Sequence, residues 1–189
     1  MIGSERIALL LPEVDPRVRA AADGQRSAVA SLLREHLPRI RNLVRYLVHG
    51  DQDVDDFAQE AMLAVIMGIA SYRGDGPIAA WIDRVVAHTT ITELRKRKVA
   101  RRMDPVGPAL ELVPHPDSVS HADEYLASRR AVQLLDRLPA EQRHALVLHF
   151  VLGMSVPEIA EELARPPETV RSRLRIGMER LRALAGGDR

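Results

Sequence analysis

A basic stretch near the C-terminus carries the side chains best suited to bind another molecule. Residues 165–182 contain six arginines and two glutamates, which is more positive charge than solubility requires. Arginine guanidinium groups pair with phosphates and with the major-groove edge of guanine, so this composition favours DNA as the partner. Because basic helix faces are also common on surfaces that meet only solvent, the charge must be judged together with the elements that position it.

The pattern around these arginines predicts a helix-turn-helix. Ser155 and Glu158 match a capping box, which opens a short helix by satisfying its first backbone amides. Pro166-Pro167 suits the first turn of a second helix, and only Ala164-Arg165 lies between the two. The apolar positions that would pack this helix pair against a core are Ile159, Ala160, Leu163, Val170, Leu174, Met178 and Leu181. Two helices, a tight turn and an arginine-rich outer face are typical of this DNA-binding motif.

In such a motif the second helix enters the major groove, and its early residues meet the base edges. Arg171 and Arg175 are therefore candidates for guanine, and Ser172 can donate or accept a hydrogen bond. Arg165 and Arg173 are better placed to contact phosphates.

The composition of the 189-residue chain favours packed helices. Aromatic residues make up 3% of the chain, whereas Leu, Ala, Arg and Glu are abundant, so we predict an all-α fold.

The absence of cysteine excludes disulfides and thiolate metal sites. Asp51, Asp53 and Asp55 alternate as calcium-loop ligands do, but Asp56 and Met62 occupy positions that require Gly and Glu. The seven histidines show no ligand spacing or catalytic set, so we expect no metal, no cofactor and no enzymatic activity.

The N-terminal residues 1–22 form an extension, which is either a loose tail or a short packed helix. Its apolar run from Ile7 to Leu11 ends at Pro12 and is too short for a signal-peptide core. No later segment approaches the length of a membrane span, and we therefore expect a cytoplasmic protein.

The next part of the chain, residues 23–100, predicts a first helical domain. Two helices should meet at Pro38, followed by a helix from about Val54 to Ile69 and a long helix from about Ile78 to Lys98. On the Val54–Ile69 helix, the core stripe comprises Phe57, Ala61, Val65 and Ile69. A second stripe comprises Asp56, Gln59, Glu60 and Leu63, which is either ordinary surface or a docking site for a basic partner.

The long helix carries two stripes of different character. The inner stripe comprises Ile78, Trp81, Ile82, Val85 and Thr89. The other stripe comprises Arg84, His88, Ile91 and Arg95, and it continues into the basic run Arg95, Lys96, Arg97 and Lys98. Residues 94–102 contain six basic residues and no acidic residue, so this segment could bind a row of DNA phosphates. Part of this positive charge would also stabilise the C-terminus of the helix.

Residues 101–122 predict a flexible linker, because prolines and a glycine interrupt any periodic pattern there. The second helical domain, residues 123–189, then contains the helix-turn-helix. A helix over residues 140–151, bearing Leu146, Val147 and Phe150, should pack beneath this motif.

Three segments resemble the extracytoplasmic function (ECF) group of bacterial RNA polymerase sigma factors. They are Asp55-Asp56-Phe57-Ala58-Gln59-Glu60; Tyr72-Arg73-Gly74-Asp75-Gly76-Pro77-Ile78-Ala79-Ala80-Trp81-Ile82; and Leu138-Pro139-Ala140-Glu141-Gln142-Arg143 with Thr169-Val170-Arg171-Ser172-Arg173-Leu174. The resemblance spans about residues 23–184, and it implies two domains called sigma regions two and four.

The resemblance implies the following partners and contacts. Core RNA polymerase, through its β′ clamp helices and β flap, would bind the chain, with Asp56, Gln59, Glu60 and Leu63 on the clamp. The minus-ten element would meet Tyr72, Arg73, Asp75, Arg84, His88, Arg95, Lys96, Arg97 and Lys98. The minus-thirty-five element would meet Arg165, Glu168, Thr169, Arg171, Ser172, Arg173 and Arg175. An anti-sigma factor would mask these surfaces, and the linker would pass near the polymerase active centre.

Five residues depart from the usual family pattern. His88 and Thr92 stand where Asn and Asp are common, Ala164-Arg165 replaces Gly-Ile, and Glu168 replaces Gly. A left-handed turn would strain Ala164, and Glu168 could accept from cytosine or repel a phosphate. The favoured hypothesis is a promoter-specificity subunit. The alternatives are a stand-alone helix-turn-helix regulator with an N-terminal dimerisation or sensory domain, and a helical adaptor that does not contact DNA.

Overall fold

A computed structural model describes residues 15–103 and 122–186, which contain helices and no strand. The α-helices are α1 Pro16–Ala22, α2 Arg26–Leu47, α3 Val54–Gly68, α4 Ile78–Met103, α5 Ala122–Asp136, α6 Ala140–Leu146, α7 Val156–Leu163 and α8 Pro167–Gly186. A short 3-10 turn, Ile69–Ser71, follows α3, and a π-helical turn, Val147–Val151, continues α6. The predicted all-α fold class is confirmed. Among the helices in the described ranges, none has both the length and the apolar character needed to cross a membrane.

The N-terminal group of helices packs around the apolar faces of α2, α3 and α4. Phe57, Ala61 and Val65 of α3 are buried at the predicted spacing, and Ile69 is buried just beyond the helix. Helix α1 begins at a cap formed by Asp15 and buries Val18 and Ala21. The short packed helix considered for the N-terminal extension is therefore present at residues 16–22, and residues 1–14 lie outside the described part of the chain.

Helix α2 corrects the prediction of two helices meeting at Pro38. It is one continuous helix with Pro38 inside it. A proline there removes one backbone hydrogen bond and costs about 3 kcal/mol. Both halves of α2 bury side chains, Leu32 before the proline and Ile40, Leu43, Val44 and Leu47 after it, and this shared burial outweighs the lost hydrogen bond.

Helix α4 differs from its prediction at two points. It extends to Met103, so all of the basic residues 94–102 are helical. Ile91 is 1% exposed and belongs to the core instead of the outer stripe, together with Val86 and Ala87. The outer stripe is thus a row of polar residues, Arg84, His88 and Arg95, which are all exposed.

The C-terminal group of helices, α6 to α8, packs around Ala145, Leu148, Ile159, Leu163 and Val170. Leu146 and Val147 are buried as predicted, but Phe150 is 61% exposed, so its predicted packing is wrong. The π-helical turn explains the error, because the wider turn rotates later residues away from the α-helical face. Most buried residues of both groups form one continuous apolar cluster, and Val18, Ala21, Leu32 and Ile69 form a second, smaller cluster. The predicted linker lies almost entirely outside the described residues.

Candidate polymerase and nucleic-acid interfaces

One exposed stripe of α3 combines carboxylates and apolar side chains. Asp56, Gln59 and Glu60 are exposed at the N-terminal end, and Leu63 is 51% exposed one turn later. Carboxylates in the first turn of a helix are stabilised by the macrodipole, which accounts for Asp56 locally. Nothing comparable accounts for an exposed leucine in a helix whose other face is buried.

The structure extends this stripe beyond the predicted residues. Ile66 is 39% exposed and Met67 is 78% exposed, and they follow Leu63 at spacings of three and four. The α3 stripe, defined here as Asp56, Gln59, Glu60, Leu63, Ile66 and Met67, therefore changes from acidic to apolar along its length. Sequence reasoning missed the last two residues because it followed the acidic positions. The spacing of Leu63, Ile66 and Met67 was the available signal.

The loop between the 3-10 turn and α4 has a defined shape. The Tyr72 hydroxyl donates to the carbonyl of Gly76, and the Tyr72 ring lies 5.8 Å from the Trp81 ring, centroid to centroid. Gly74 has a φ of 80°, a conformation that favours glycine. Tyr72 thus holds the loop against α4, whereas Arg73 and Asp75 are exposed and free to meet a ligand.

Four of the predicted minus-ten residues contact the C-terminal helices. Arg84 lies 3.2 Å from Glu158, and His88 Nδ1 lies 3.1 Å from Glu162 Oε1. Arg95 donates to the carbonyl of Glu162 at 3.1 Å, and Lys98 lies 3.3 Å from Glu141. The basic stripe of α4, defined here as Arg84, His88, Arg95 and Lys98, therefore contacts residues of α6 and α7 while its side chains stay largely exposed.

The other two basic residues of this run are held by the N-terminal helices. The Arg97 guanidinium lies 4.1 Å from the centroid of the Phe57 ring and 3.4 Å from an Asp53 carboxylate oxygen. Lys96 lies 2.6 Å from Glu93, and this hydrogen bond raises the pKa of Lys96. Arg97 in particular packs α4 against α3.

The helix-turn-helix has the predicted local structure. The Ser155 amide donates to Glu158 at 2.8 Å, and the Glu158 amide lies 3.5 Å from the Ser155 hydroxyl, which completes the capping box. Hydrogen bonds from Ser155 hold the pKa of Glu158 below its usual value. Ala164 adopts a left-handed conformation with a φ of 48°, which confirms the expected strain in the turn.

The outer face of α8 presents its arginines to solvent. Arg171 forms an ion pair with Glu168, and Arg175 lies 2.9 Å from Glu179. Arg165 and Ser172 are exposed, whereas Thr169 and Arg173 are half-buried. The structure therefore places six of the seven predicted minus-thirty-five residues around one helix, with Arg165 in the turn before it.

The family of the chain follows from its similarity to known proteins. Residues 32–100 match the family described as Sigma-70 region 2, and residues 128–181 match Sigma-70, region 4. The chain is 32% identical over 163 residues to ECF RNA polymerase sigma factor SigM of Mycobacterium tuberculosis, covering 86% of this chain and 80% of SigM. It is 30% identical over 178 residues to ECF RNA polymerase sigma factor ShbA of Streptomyces griseus, covering 89% and 93%.

The chain belongs to the ECF RNA polymerase sigma factors. It is thus a transcription initiation factor that directs RNA polymerase to promoters, and the stand-alone regulator is the weaker hypothesis. The region 2 match falls within α2–α4 and the region 4 match within α5–α8, and these two groups of helices are called region two and region four below.

Two solved structures share the fold of this sigma factor. The structure titled CnrH in complex with the cytosolic domain of CnrY superposes with a TM-score of 0.54 at 24% identity, covering 92% of this chain and 97% of that one. Sigma factor RpoE in complex with the anti-sigma factor NepR from Bartonella quintana gives a TM-score of 0.58 at 21% identity, covering 85% and 98%. At these identities the likeness concerns the fold.

Besides the apolar end of the α3 stripe, this sigma factor has an exposed apolar site in region four, which the sequence did not predict. Phe150 and Val151 are 61% and 46% exposed on the π-helical turn. His149 packs edge-on against the Phe150 ring at 4.7 Å and lies 2.8 Å from the Met154 carbonyl. An exposed aromatic held in a fixed orientation is a suitable anchor for a partner protein.

Proposed function

We propose that this sigma factor binds core RNA polymerase through the α3 stripe. The supporting observation is the exposure of Leu63, Ile66 and Met67 directly after the carboxylates of Asp56 and Glu60. Apolar side chains that remain exposed in a row favour a protein partner, and the acidic end selects a basic counterpart. The family resemblance assigns this surface to the clamp helices of the β′ subunit.

The promoter contacts belong to two other surfaces. We propose that the α4 basic stripe with Arg73 and Asp75 meets the minus-ten element, and that the outer face of α8 meets the minus-thirty-five element. The supporting observations are the row of basic side chains along α4 and the exposed side chains of Arg171, Ser172 and Arg175 on α8. Phosphates account for most of the binding energy of such basic surfaces, and the groove-facing side chains provide base preference.

We also propose that an anti-sigma factor controls this protein and that it works in the cytoplasm, where core polymerase and promoter DNA meet. Support comes from the family and from the RpoE structure, whose title names an anti-sigma partner. Recovery of one specific protein with the tagged chain, released when the sigma factor becomes active, would test this control.

The polymerase contact is tested by Asp56→Lys and Met67→Glu, with Asp55→Lys as a matched control. Both test variants should lose association with core polymerase, by about tenfold or more, since they reverse a charge or place one in an apolar contact. Asp55 lies in the same first turn and is exposed, so its substitution alters the charge near the helix N-terminus similarly without touching the stripe. Because Asp55 pairs with Arg41 of α2 at 2.9 Å, circular dichroism must first show that this control keeps its fold. Pull-down of core enzyme by tagged variants gives the result. Normal recovery by both test variants would remove the assignment.

A further inference from the structure

Helix α1 packs against the turn that leads into the minus-ten loop, defined here as residues 72–77. It contacts the 3-10 turn directly. Val18 and Ala21 of α1 are both 2% exposed, and they share the smaller apolar cluster with Leu32 of α2 and Ile69 of the 3-10 turn. Because Ile69 lies three residues before the loop begins, α1 supports the segment from which the loop starts.

The smaller cluster reaches both ends of the loop. Tyr72 at the start of the loop, and Ile78 and Trp81 just after its end, are partly buried against this cluster. The Tyr72 amide also donates to the Ile69 carbonyl at 3.1 Å, which joins the loop to the 3-10 turn. One apolar cluster therefore fixes the two ends of the loop, and α1 supplies half of its buried side chains.

Burial, more than charge, holds α1 in this position. Asp15 caps the helix, and its carboxylate accepts from the Arg17 amide at 2.8 Å. The Arg17 guanidinium lies 2.7 Å from a carboxylate oxygen of Glu35 on α2. Ion pairs as exposed as those of Arg17 contribute little to stability, so the buried Val18 and Ala21 provide most of the free energy that docks α1.

Within the loop, the side chains divide into those that shape it and those that face solvent. The Tyr72 hydroxyl donates to the Gly76 carbonyl and its ring packs near Trp81, so this side chain serves the loop from within. Arg73 and Asp75 are exposed. A loop that must be ordered on binding loses that entropy from its affinity, so exposed side chains select a base best when the loop is already fixed.

We propose that α1 is a positioning element for minus-ten recognition. Its buried Val18 and Ala21 hold the minus-ten loop in the conformation that presents Arg73 and Asp75 to the DNA strand, and α1 itself contacts no base. This inference rests on the proposed function of the loop. It extends that function to a helix that precedes the region 2 match at residues 32–100.

The test compares Val18→Asp with two controls in the full-length chain. Val18→Asp places a charge in the smaller cluster and should release α1. Arg19→Gln changes an exposed position of the same helix and lowers the net charge by the same amount, so general attraction to DNA changes equally. Val44→Ala removes buried atoms from the larger core and controls for a general loss of stability.

Trp81 reports on the loop in the free protein, because it is the only tryptophan of the chain and packs against the smaller cluster. We expect Val18→Asp to increase acrylamide quenching of Trp81 and to shift its emission to longer wavelength. Both controls should match the wild type. If circular dichroism shows that Val18→Asp unfolds more than α1, Val18→Ala takes its place, with a smaller change in the same direction.

The functional measurement uses the complex of the chain with core polymerase and a promoter mapped by run-off transcription. It compares binding of the single strand that spans the minus-ten element with binding of a scrambled strand of equal composition. Val18→Asp should reduce the preference for the promoter strand by about fivefold or more, which corresponds to the loss of one base contact. Both controls should keep the preference, and all variants should bind core polymerase equally, because the α3 stripe is unchanged.

A chain that already carries Arg73→Ala and Asp75→Ala should lose no further preference through Val18→Asp, since α1 acts through those two residues. Unchanged Trp81 quenching and strand preference in Val18→Asp would overturn the proposal, as would an equal loss of preference in Val44→Ala. If the wild-type chain supports no transcript but Val18→Asp exposes Trp81, α1 holds the loop and the proposed function fails. If transcripts appear and Val18→Asp changes neither measurement, the proposed function stands and this inference fails.

Discussion

Glu168 restrains an arginine that is positioned to read DNA. It occupies the first turn of α8, where its charge is favourable, and pairs with Arg171 three residues later. In the free protein this exposed pair gives the Arg171 guanidinium a partner within the same helix. The sequence suggested either acceptance from cytosine or repulsion of phosphate, and the ion pair adds a third effect, because Glu168 competes with DNA for Arg171.

We predict that Glu168→Gln tightens binding of a mixed-sequence DNA duplex by about twofold to fivefold, since it releases Arg171 and removes one charge near the phosphates. Fluorescence anisotropy at fixed salt measures the change. Glu161→Gln is the control, because it removes one charge from α7 without releasing an arginine of α8. Weaker binding by Glu168→Gln would contradict this account and indicate a direct base contact by the carboxylate.

At the residue scale, predictability follows the sequence distance between partners. The capping box of Ser155 and Glu158 was predictable because both partners lie in one turn and need no tertiary context. The contact between His88 and Glu162 was not, because it joins residues 74 positions apart in different regions. The local pattern of polar residues therefore identified this helix start correctly. It could not show which basic side chains of α4 would pair with glutamates of α6 and α7.

Helix α8 contains one position where close packing requires glycine. A Cβ on Gly177 would lie 2.9 Å from Leu146 Cδ1 and 3.3 Å from Gln142 Cβ, so α6 and α8 approach more closely than a side chain permits. Leu146 is buried and has little space into which it could move.

We predict that Gly177→Val destabilises region four by about 1–3 kcal/mol through overpacking. Gly186→Val is the control, because no described atom lies within 4 Å of a Cβ there, and its effect should stay within about 0.5 kcal/mol. Urea unfolding followed by helical circular dichroism gives both values. Equal stability of the two variants would show that α6 and α8 can separate without cost.

At the element scale, the sequence predicted the existence of most helices and erred where packing overrides local preference. The break expected at Pro38 is absent because both halves of α2 share one buried face. The packing expected for Phe150 fails because the turn at Val147–Val151 is π-helical, and helical periodicity assumes 3.6 residues per turn throughout. Neither the continuity of α2 through Pro38 nor the π-helical turn at Val147–Val151 could be predicted from the residues next to it in the sequence.

The contact of His144 with the Leu47 carbonyl, here called the dock, joins region four to the end of α2 and should be sensitive to pH. Burial and the nearby positive charge of Arg143 lower the pKa of His144 to about 4, with smaller opposing effects from the Leu47 carbonyl and Glu141 and a lowering effect from Arg95. His144 is therefore neutral in the docked state. When region four undocks or unfolds, the pKa returns to about 6.5, so protonation favours that state as the pH falls below about 6.5.

We predict that the free energy of unfolding falls by about 1–2 kcal/mol more between about pH 7 and about pH 5 in the wild type than in His144→Gln. The glutamine amide can still donate to the Leu47 carbonyl but does not titrate. Urea unfolding at the two pH values isolates the effect, because the other ionisable groups are common to both chains. An equal fall in both chains would contradict the neutral state of the half-buried His144.

At the scale of the whole molecule, the sequence predicted two helical units and their shared task, because each unit carries its own motif. It did not predict how the units meet. In the sequence, the carboxylates on α6 and α7 looked like ordinary helix surface. Only the structure shows that Glu158 and Glu141 pair with Arg84 and Lys98 of α4. The separation of acidic and basic segments along the chain was the one feature of the sequence that hinted at this contact. The basic residues 94–102 have no acidic neighbour in the sequence, which favours pairing with acidic side chains elsewhere or with phosphates.

The most direct test of the central claim is run-off transcription with purified core polymerase and a pool of promoter-containing genomic fragments. We predict transcripts with discrete start sites when both the chain and core enzyme are present, none with either alone, and loss of these transcripts with Asp56→Lys. A folded wild-type chain that gives core polymerase no promoter-dependent initiation on any fragment would contradict the account.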